Sequence, residues 1–233
     1  AAAGCDLIHI QTPFVAHYAG VSAGRRHGLP VMATYHTLFE EYLHHYAPYL
    51  PAGLLRSAAR FFSRRQCNVL DGVIVPSTAM LGRLSDYGVT APMTVLPTGI
   101  PVSRFAQGDR AAFRARYGIA EEQPVALFVG RVAHEKNIGF LIDAVKVARA
   151  TRPDLLLLIT GEGPASADLR RHAEAAGVAG NVRFLGYLDR QKDLPDCYAA
   201  ADIFTFASRT ETQGLVLLEA KAAGVPVIAL SAM

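Results

Sequence analysis

The chain has 233 residues, 51% of them apolar, which is enough for one large or two modest domains with a buried core. A formal net charge of only +3 argues against a broad nucleic-acid-binding surface, so we expect no nucleic-acid partner, although a local basic patch fits this charge. The three cysteines lie far apart without a CxxC pair, which argues against zinc and a disulfide framework and fits a reducing compartment.

The ends of the sequence and its apolar runs also limit the possibilities. No apolar run reaches the ~18–20 residues that span a bilayer, and no secretory signal is visible. The sequence begins without Met, close to a strand, and closes directly after another strand. We therefore expect this chain to be an internal part of a longer protein.

Short apolar runs alternate with helical patterns along the chain. The runs predict strands at 6–10, 31–35, 72–76, 93–97, 125–130, 155–160, 182–186, 202–207 and 225–230. Most of them are nearly continuous Val, Ile, Leu and Phe, as expected of strands that helices cover on both faces. The alternation predicts an α/β protein with doubly wound parallel sheets. A polar, irregular stretch at 98–123 interrupts it, so we expect two similar domains at 1–110 and 111–233.

Charged and imidazole side chains follow the strand at 31–35. His36 lies just past the end of this strand, where it would face the cleft between the two expected domains, although a lone histidine is more often structural. A metal cluster is a second hypothesis for the residues that follow, Glu40, Glu41, His44 and His45. Their helical spacing lacks a further well-placed ligand, which favours a polar helix face instead.

A basic amphipathic helix is predicted within residues 50–77. The basic residues are Arg56, Arg60 and Arg64, with Arg65 beside the last, and the apolar ones are Leu54, Leu55, Phe61 and Phe62. Positions four apart share one helix face. Such a face can lie on anionic lipid, where each Lys or Arg contributes ~1 kcal/mol. The same pattern also fits a solvated helix that packs on its sheet.

The strand at 125–130 ends in Gly130 and leads into Arg131 and Lys136. Ligands of open α/β sheets bind beyond the carboxyl ends of the strands. There a guanidinium can grip phosphate oxygens with two parallel hydrogen bonds, and a lysine can add a mobile charge. An exposed loop without function explains the same two residues. A helical pattern then begins at Asn137 as N-cap and runs to residue 152.

The loop at 159–166 contains a Gly-x-Gly element, Gly161 and Gly163, between a strand and a helix. It resembles a dinucleotide fingerprint, but no acidic residue ends a following strand about 20 residues on, as the ribose of a dinucleotide would require. We therefore expect a tight strand-to-helix turn with Pro164 at the first helical position.

A further strand–loop–helix unit spans 206–229, with Gly214 at the start of a helix that ends near Gly224. The amides of Gly214, Leu215 and Val216 would be free donors there, and with the helix dipole they would attract an anion. A glycine at this position lets a phosphate approach the backbone closely. Hydroxyls nearby are those of Thr210 and Thr212.

Two glutamates, Glu211 and Glu219, flank this helix start eight residues apart. A glycosidase would place two carboxyl groups across one sugar bond, but these two need not face each other. Neither has the His or Asp companions of a metal site. They fit a site in which Glu211 reaches the group beyond a diphosphate and Glu219 accepts hydrogen bonds from ribose hydroxyls. A helix-start acid and a surface glutamate explain them equally well.

Four segments, GRVAHEKN, TGEGP, FLGYL and SRTETQGLVLLEAKAAGVPVIA, together resemble the retaining GT-B glycosyltransferases of the GT4 family, whose hallmarks are G-R-x4-K and E-x7-E. The similarity spans most of residues 70–230. It implies two facing Rossmann-like domains, both incomplete here. The first would lie on the acceptor side, and the second would hold a nucleotide-sugar donor. It also implies a glycine-rich loop, before the first residue, that closes over the diphosphate.

By position, the resemblance implies that loop cations and backbone amides bind the donor diphosphate. The cations are Arg131 and Lys136, next to Gly130. The amides are those of Gly214, Leu215 and Val216, and Gln213 stands where the family often has a phenylalanine. Gly161 and Gly163 of the TGEGP segment complete the candidates for donor binding.

The other implied contacts are with the sugar, the ribose and the base. Glu211 would contact hydroxyls of the transferred sugar, and Glu219 those of the ribose. Segment 183–187, which includes Leu185, would border the base. His36 lies at the YHT position where the family contacts the transferred sugar. The candidates for catalysis are therefore His36, Arg131, Lys136 and Glu211.

The segments HIQTPF and ATYHTLFEEYLHHY, with the basic helix, are similar to the branch of the family that glycosylates diacylglycerol. The resemblance implies a cytoplasmic, membrane-peripheral enzyme that transfers a hexose, first of all glucose from UDP-glucose, to a lipid with retention of configuration. Its partners would be the nucleotide sugar, the lipid acceptor and an anionic membrane at its inner face. No metal or permanently bound cofactor is required, because cations and amides cover the phosphate charge. The alternatives are GDP-mannose, a soluble acceptor, or a non-catalytic nucleotide-sugar-binding module.

Overall fold

The computed structural model describes residues 4–36, 52–208 and 211–230. The chain divides into two compact units, Ala1–Thr98 and Gly99–Met233. Each unit is built on its own parallel β-sheet, so the α/β fold class is confirmed and each predicted strand is present. Some residues of the sequence hypotheses lie outside the described ranges, namely Glu40, Glu41, His44, His45 and Thr210.

The first unit holds a four-stranded sheet with the strands in chain order. They are β1 (Ile8–Ile10), β2 (Val31–Thr34), β3 (Gly72–Val75) and β4 (Met93–Val95). The helices described here are α1 (Val15–His27), α2 (Ala52–Cys67) and α3 (Thr78–Asp86). Neighbouring strands are parallel, with Ile8 beside Val31. Val73, Val75 and Leu84 lie in the core that the helices close against this sheet.

The second unit holds a five-stranded sheet in the order β7-β6-β5-β8-β9. Its strands are β5 (Val125–Val129), β6 (Leu156–Thr160), β7 (Val182–Gly186), β8 (Ile203–Phe206) and β9 (Val227–Ala229). Its helices are α4 (Val102–Phe105), α5 (Arg110–Arg116), α6 (Ile138–Ala148), α7 (Ser166–Ala175), α8 (Asp193–Ala199) and α9 (Leu215–Ala222). β5 and β6 are buried along their whole length, as continuous apolar runs predict.

The chain changes direction across the second sheet between β7 and β8. β5, β6 and β7 succeed one another towards one edge, and the chain then returns to place β8 on the other side of β5. This reversal is a topological switch point, where the loops after β5 and β8 leave the sheet on either side of a crevice. The two loops that carry the predicted phosphate-binding residues therefore follow adjacent strands.

A buried arginine forms a hydrogen-bond network at the opposite end of the second sheet, where β5 and β8 begin. Arg114 of α5 is 3% exposed and donates hydrogen bonds to backbone carbonyls, among them that of Ala200. Its guanidinium also pairs with Asp202, which accepts the amide of Val125 at 2.8 Å. Burial would raise the pKa of Asp202, but this amide and two arginines hold it below its ordinary value. The network fixes the starts of β5 and β8, and so the spacing of the loops at their far ends.

The predicted N-cap position of α6 is confirmed, whereas its predicted end and the predicted start of α7 were wrong. Asn137 occupies the N-cap position of α6 but has φ of 53°, and its side chain donates to the carbonyl of Ala207 rather than capping the helix. The helix ends at Ala148, short of residue 152, where the chain turns towards β6. Pro164 is not the first helical residue, because α7 begins at Ser166 after a turn.

Candidate active site

Lys136 and Glu211 meet at the switch point, although 75 residues separate them in the chain. Lys136 ends a short 3-10 turn after β5, and Glu211 lies in the loop between β8 and α9. Lys136 Nζ lies 3.1 Å from Oε2 and 3.3 Å from Oε1 of Glu211. The lysine side chain is 14% exposed and the glutamate 28%, so the pair is sheltered yet remains open to a ligand from solvent. The order of the strands thus brings two candidate residues into contact.

Arg131 lies at the same edge of the sheet and pairs within its own loop. Its Nη2 lies 2.6 Å from Oε1 of Glu135, and the arginine side chain is 59% exposed. Burial alone would raise the pKa of Glu135, but the guanidinium of Arg131, a backbone amide and Lys136 hold it below its ordinary value. Glu135 is therefore a charged carboxylate between the two cations that the sequence assigns to phosphate.

Gly161 and Gly163 allow the loops after β5 and β6 to touch through their backbones. The amide of Val132 donates to the carbonyl of Glu162 at 2.9 Å. A Cβ on Gly161 would lie 2.0 Å from the carbonyl oxygen of Gly130, and one on Gly163 would lie 2.2 Å from that of Val132. Neither position has room for a side chain, so a structural role explains both glycines. Their proposed role in donor binding would be to support the loop that carries Arg131.

The start of α9 lies directly against Glu211. Gly214 has φ of 62°, in the left-handed region that favours glycine, and a Cβ there would lie 3.8 Å from Cγ of Glu211. The amides of Leu215 and Val216 lie in the first turn, where an α-helix offers them no acceptor of its own. A cation, a carboxylate and a helix start are therefore contiguous, and together they suit an anion that carries hydroxyl groups.

Glu219 is buried, so its interpretation as a surface glutamate was wrong. Its side chain is 2% exposed, one turn into α9. Oε1 accepts a hydrogen bond from Arg190 Nη2, and Oε2 accepts one from the hydroxyl of Tyr198 at 2.9 Å. Burial raises the pKa of Glu219, against the opposing effects of these two partners. A carboxylate kept in such a place at a cost in solvation suggests a function.

Segment 183–187 comprises most of β7 (Val182–Gly186) and the first residue after it, at the carboxyl end of the strand. Leu185 packs partly against the core, whereas Tyr187 is 70% exposed. The guanidinium of Arg170 lies 4.4 Å from the centre of the Phe184 ring. The segment thus offers an apolar and aromatic surface next to solvent, which suits the border of a nucleotide base.

In the first unit, His36 belongs to a polar cluster at the ends of β1 and β2. Its Nε2 lies 3.0 Å from Oε1 of Gln11, whose side-chain amide contacts the ring of His9. His9 Nε2 in turn lies 2.7 Å from the hydroxyl of Thr34. Burial, and then the nearby His9, lower the pKa of His36, which favours the neutral imidazole. A pocket lined by Gln11, His36 and Tyr35 opens beside this cluster.

The predicted basic helix is α2, and its arginines lie on the exposed side. Arg56, Arg60, Arg64 and Arg65 are all exposed. Arg60 lies over the ring of Tyr87 at 5.5 Å, and Arg64 lies over that of Phe61 at 5.7 Å. Leu55 was wrongly assigned to the exposed apolar surface, because it is buried in the unit, whereas Leu54 and Phe61 are exposed.

Four residues of these clusters were missed from the sequence. Glu135 was detectable, because it lies four positions after Arg131 in the same motif. Gln11 lies within HIQTPF, but nothing in that segment indicates contact with His36. Arg190 and Tyr198 gave no signal, since they reach Glu219 from 29 and 21 residues away.

The described residues hold neither a candidate metal cluster nor a candidate membrane-spanning helix. In residues 4–36, 52–208 and 211–230, no three His, Cys, Asp or Glu side chains group in a way that could hold a metal ion. Among the helices of those same ranges, none is both long and apolar enough to cross a membrane.

Comparison with known families identifies the class of protein to which this fold belongs. Residues 109–232 match the family model of glycosyl transferases group 1, and residues 1–104 match that of glycosyltransferase family 4. The chain belongs to the group 1 glycosyltransferases of family 4. The two parallel sheets match GT-B glycosyltransferase structures, as the motifs predict.

Two individual relatives show which glycosyltransferases have sequences similar to this chain. The chain is 35% identical over 231 residues to the alpha-monoglucosyldiacylglycerol synthase of Streptococcus pneumoniae, a match that covers 96% of this chain and 51% of that protein. It is 40% identical over 155 residues to a GDP-mannose-dependent monoacylated alpha-(1-6)-phosphatidylinositol monomannoside mannosyltransferase of Corynebacterium glutamicum, covering 62% of this chain and 40% of that protein. The chain spans little more than half the length of the synthases that it matches.

A solved structure shows the same fold at lower identity. Anabaena HepE, crystallised in complex with UDP and glucose, superposes with a TM-score of 0.79 at 23% identity. The superposition covers 96% of this chain and 59% of that one.

Proposed function

We propose that the intact protein is a retaining hexosyltransferase that moves glucose from UDP-glucose to a lipid acceptor such as diacylglycerol at a membrane surface. The observation that carries the proposal is the contact of Lys136, Glu211 and the start of α9 at the switch point. A nucleotide sugar needs a cation for its diphosphate and acceptors for its hydroxyls in one crevice, and this contact supplies both. The 35% identity to the Streptococcus pneumoniae synthase supports glucose and a lipid acceptor.

The donor-binding step would exchange carboxylates for phosphate oxygens. In the structure, Lys136 is paired with Glu211 and Arg131 with Glu135. A diphosphate brings more negative charge than one carboxylate and would draw both cations to itself. Glu211 would then be released beside the start of α9, where it can accept hydrogen bonds from the hydroxyls of the transferred sugar.

The same groups would stabilise the leaving group during transfer. The bond between the anomeric carbon and the diphosphate oxygen breaks, and negative charge builds on the diphosphate. Lys136, Arg131 and the amides at Gly214 would stabilise that charge, so that they bind the transition state more tightly than the ground state. The departing phosphate would take the proton of the acceptor hydroxyl as the new glycosidic bond forms on the same face. We propose His36 as a polar contact of the transferred sugar.

The membrane surface would be met by the first unit. The exposed arginines of α2 lie on the same helix as exposed Leu54 and Phe61. At the start of α1, Phe14, Val15 and Tyr18 are exposed as well. Exposed cations beside exposed apolar side chains suit an anionic bilayer, in which the apolar groups enter the interface and the arginines meet headgroups. This arrangement supports a lipid acceptor over a soluble one.

Two rival functions are distinguished by specific observations. Similarity to the GDP-mannose-dependent mannosyltransferase favours GDP-mannose as the second donor candidate. A glycosidase that uses Glu211 and Glu219 is disfavoured, because each carboxylate has its own cationic partner and Glu219 is 2% exposed.

A thermal-shift panel of UDP- and GDP-sugars on the intact protein tests the donor assignment. UDP-glucose should raise Tm most, because it is the proposed donor. A ligand at 100 times its dissociation constant adds ~2.7 kcal/mol to stability. A rise with GDP-mannose alone would replace the donor with the second candidate. If no nucleotide sugar shifts Tm while isothermal titration also shows no heat, the transferase proposal is wrong. If a donor binds but neither transfer nor hydrolysis follows, the protein is a binding module instead.

A further inference from the structure

Both carboxylate oxygens of Glu219 have their own partner. Oε1 accepts from the guanidinium of Arg190, and Oε2 accepts from the hydroxyl of Tyr198 at 2.9 Å. A carboxylate has about four lone-pair sites, so each oxygen keeps one site after these two bonds. The two bonds therefore fix the plane of the carboxylate and leave acceptor capacity for a ligand.

Tyr198 is held rigidly in the core of the second unit. It is fully buried on α8, and its ring meets Phe105 edge-on at 5.7 Å and Phe204 at 5.8 Å. Burial, and then the charge of Glu219, raise the pKa of the phenol, so the hydroxyl keeps its proton and acts as donor. The carbonyl of Val216 lies farther away, at 3.4 Å, which leaves Glu219 as the main acceptor.

Arg190 approaches Glu219 from the solvent side. Its side chain is 53% exposed, and it lies three residues after Tyr187, in the connection between β7 and α8. Its positive charge opposes the effect of burial on Glu219 and favours the ionised carboxylate. An ionised carboxylate accepts stronger hydrogen bonds than a neutral acid.

We propose that Tyr198 and Arg190 are positioning residues for nucleoside recognition: they orient the carboxylate of Glu219 so that it accepts hydrogen bonds from both hydroxyls of the donor ribose. This inference rests on the proposed function, since it assumes that a nucleotide binds beside α9. It assigns to Tyr198 and Arg190 a role in the selectivity of the site for ribose, distinct from any contact with the phosphates.

The test compares nucleotides with and without the ribose hydroxyls. Isothermal titration of the intact protein measures the dissociation constants of UDP and GDP and of their 2′,3′-dideoxy forms. We expect the wild type to prefer the ribonucleotide at least tenfold, and Glu219→Ala to lose this preference. Tyr198→Phe should lower the preference about fivefold while the affinity for the dideoxy form stays within twofold. Arg190→Gln should do the same, and Arg190→Lys should restore part of the preference.

Matched controls separate positioning from a general loss of structure. Tyr117→Phe removes another phenol of the second unit, and Arg116→Gln breaks the exposed ion pair with Asp193. Both should keep the wild-type preference. If Tyr198→Phe does not fold, as judged by circular dichroism, the comparison of Arg190→Gln with Arg190→Lys decides the question.

Three outcomes would overturn the inference, and they bear differently on the proposed function. Folded Tyr198 and Arg190 variants that keep the full preference, while Glu219→Ala loses it, reject positioning alone and leave the function standing. A wild type that binds both nucleotide forms equally rejects the ribose contact as well. A wild type that binds neither nucleotide rejects the proposed function itself.

Discussion

The charged residues of the candidate site pair with one another. Lys136 is held by Glu211, Arg131 by Glu135, and Glu219 by Arg190. In the proposed function, the diphosphate of the donor would displace Glu211 and Glu135 from these cations. In that proposal, the pairs would hold the cations near the crevice and so reduce the reorganisation that binding requires.

The burial of Glu219 should reduce the stability of the folded protein at neutral pH. Burial raises the pKa of Glu219 in the folded protein above its value in the unfolded chain. A raised acid contributes stability below its unfolded pKa of about 4.3, and that contribution is lost as pH rises through the folded pKa. At pH 7.5, Glu219→Gln should therefore raise stability by about 1 kcal/mol, or roughly 2–4 °C in Tm.

Differential scanning fluorimetry between pH 4 and pH 8 measures this effect. The gain in Glu219→Gln should shrink as pH falls, because the wild-type carboxyl becomes protonated. Glu174→Gln, on the exposed side of α7, is the matched control and should change Tm by less than about 1 °C. A Glu219→Gln variant less stable than the wild type at pH 7.5 would contradict the argument.

Single residues could be assigned from the sequence only where a motif names them. Arg131, Lys136 and Glu211 were predicted as site residues because the resemblance marks their positions. The burial of Glu219 was not foreseen, since its two partners come from a distant connection and a distant helix. Propensity and periodicity describe neighbours along the chain, and this cluster is formed by tertiary packing.

At the scale of elements, the strands were predicted well and the helix starts less so. Continuous Val, Leu and Phe runs leave few alternatives to a buried strand, and β5 and β6 follow them closely. The start of α6 differs from the prediction in its hydrogen bonding. Asn137 adopts a left-handed conformation, and its side chain donates a hydrogen bond to the loop after β8 and does not cap the helix. The side chain of this residue therefore stabilises the contact between two loops and not the start of its own helix.

α2 is the element expected to meet the membrane. Reversal of Arg56, Arg60 and Arg64 to Glu should abolish co-sedimentation of the intact protein with vesicles that contain anionic phospholipid. Each cation contributes ~1 kcal/mol near such a surface, and each reversal also adds repulsion, so binding should fall more than 100-fold. Vesicles of neutral lipid should bind the wild type weakly, and 0.5 M salt should weaken its binding to the anionic ones.

A triple reversal elsewhere controls for net charge. Arg116, Arg152 and Arg171 are exposed in the second unit, and their reversal to Glu changes the total charge by the same amount. This variant should keep most of its vesicle binding. Equal loss in both variants would show that binding depends on overall charge and not on α2.

At the scale of the whole molecule, the order of the strands determines which loops meet at the candidate site. The sequence placed the loops after β5 and β8 at carboxyl ends of strands, but it could not say that these strands are neighbours. That follows from the order β7-β6-β5-β8-β9, which brings Lys136 to Glu211 across 75 residues. Asp202 and Arg114 support the same arrangement from the opposite edge of the sheet.

In the proposed function, Lys136 stabilises the charge that develops on a departing diphosphate. The most direct test is the kcat for glucose transfer from UDP-glucose to diacylglycerol in mixed micelles, measured on the intact protein with Lys136→Met. Loss of one preorganised charge should lower kcat about 100- to 1000-fold. Lys146→Met, on the exposed side of α6, should leave kcat unchanged. A Lys136→Met enzyme whose kcat stays within threefold of the wild type would contradict the claim.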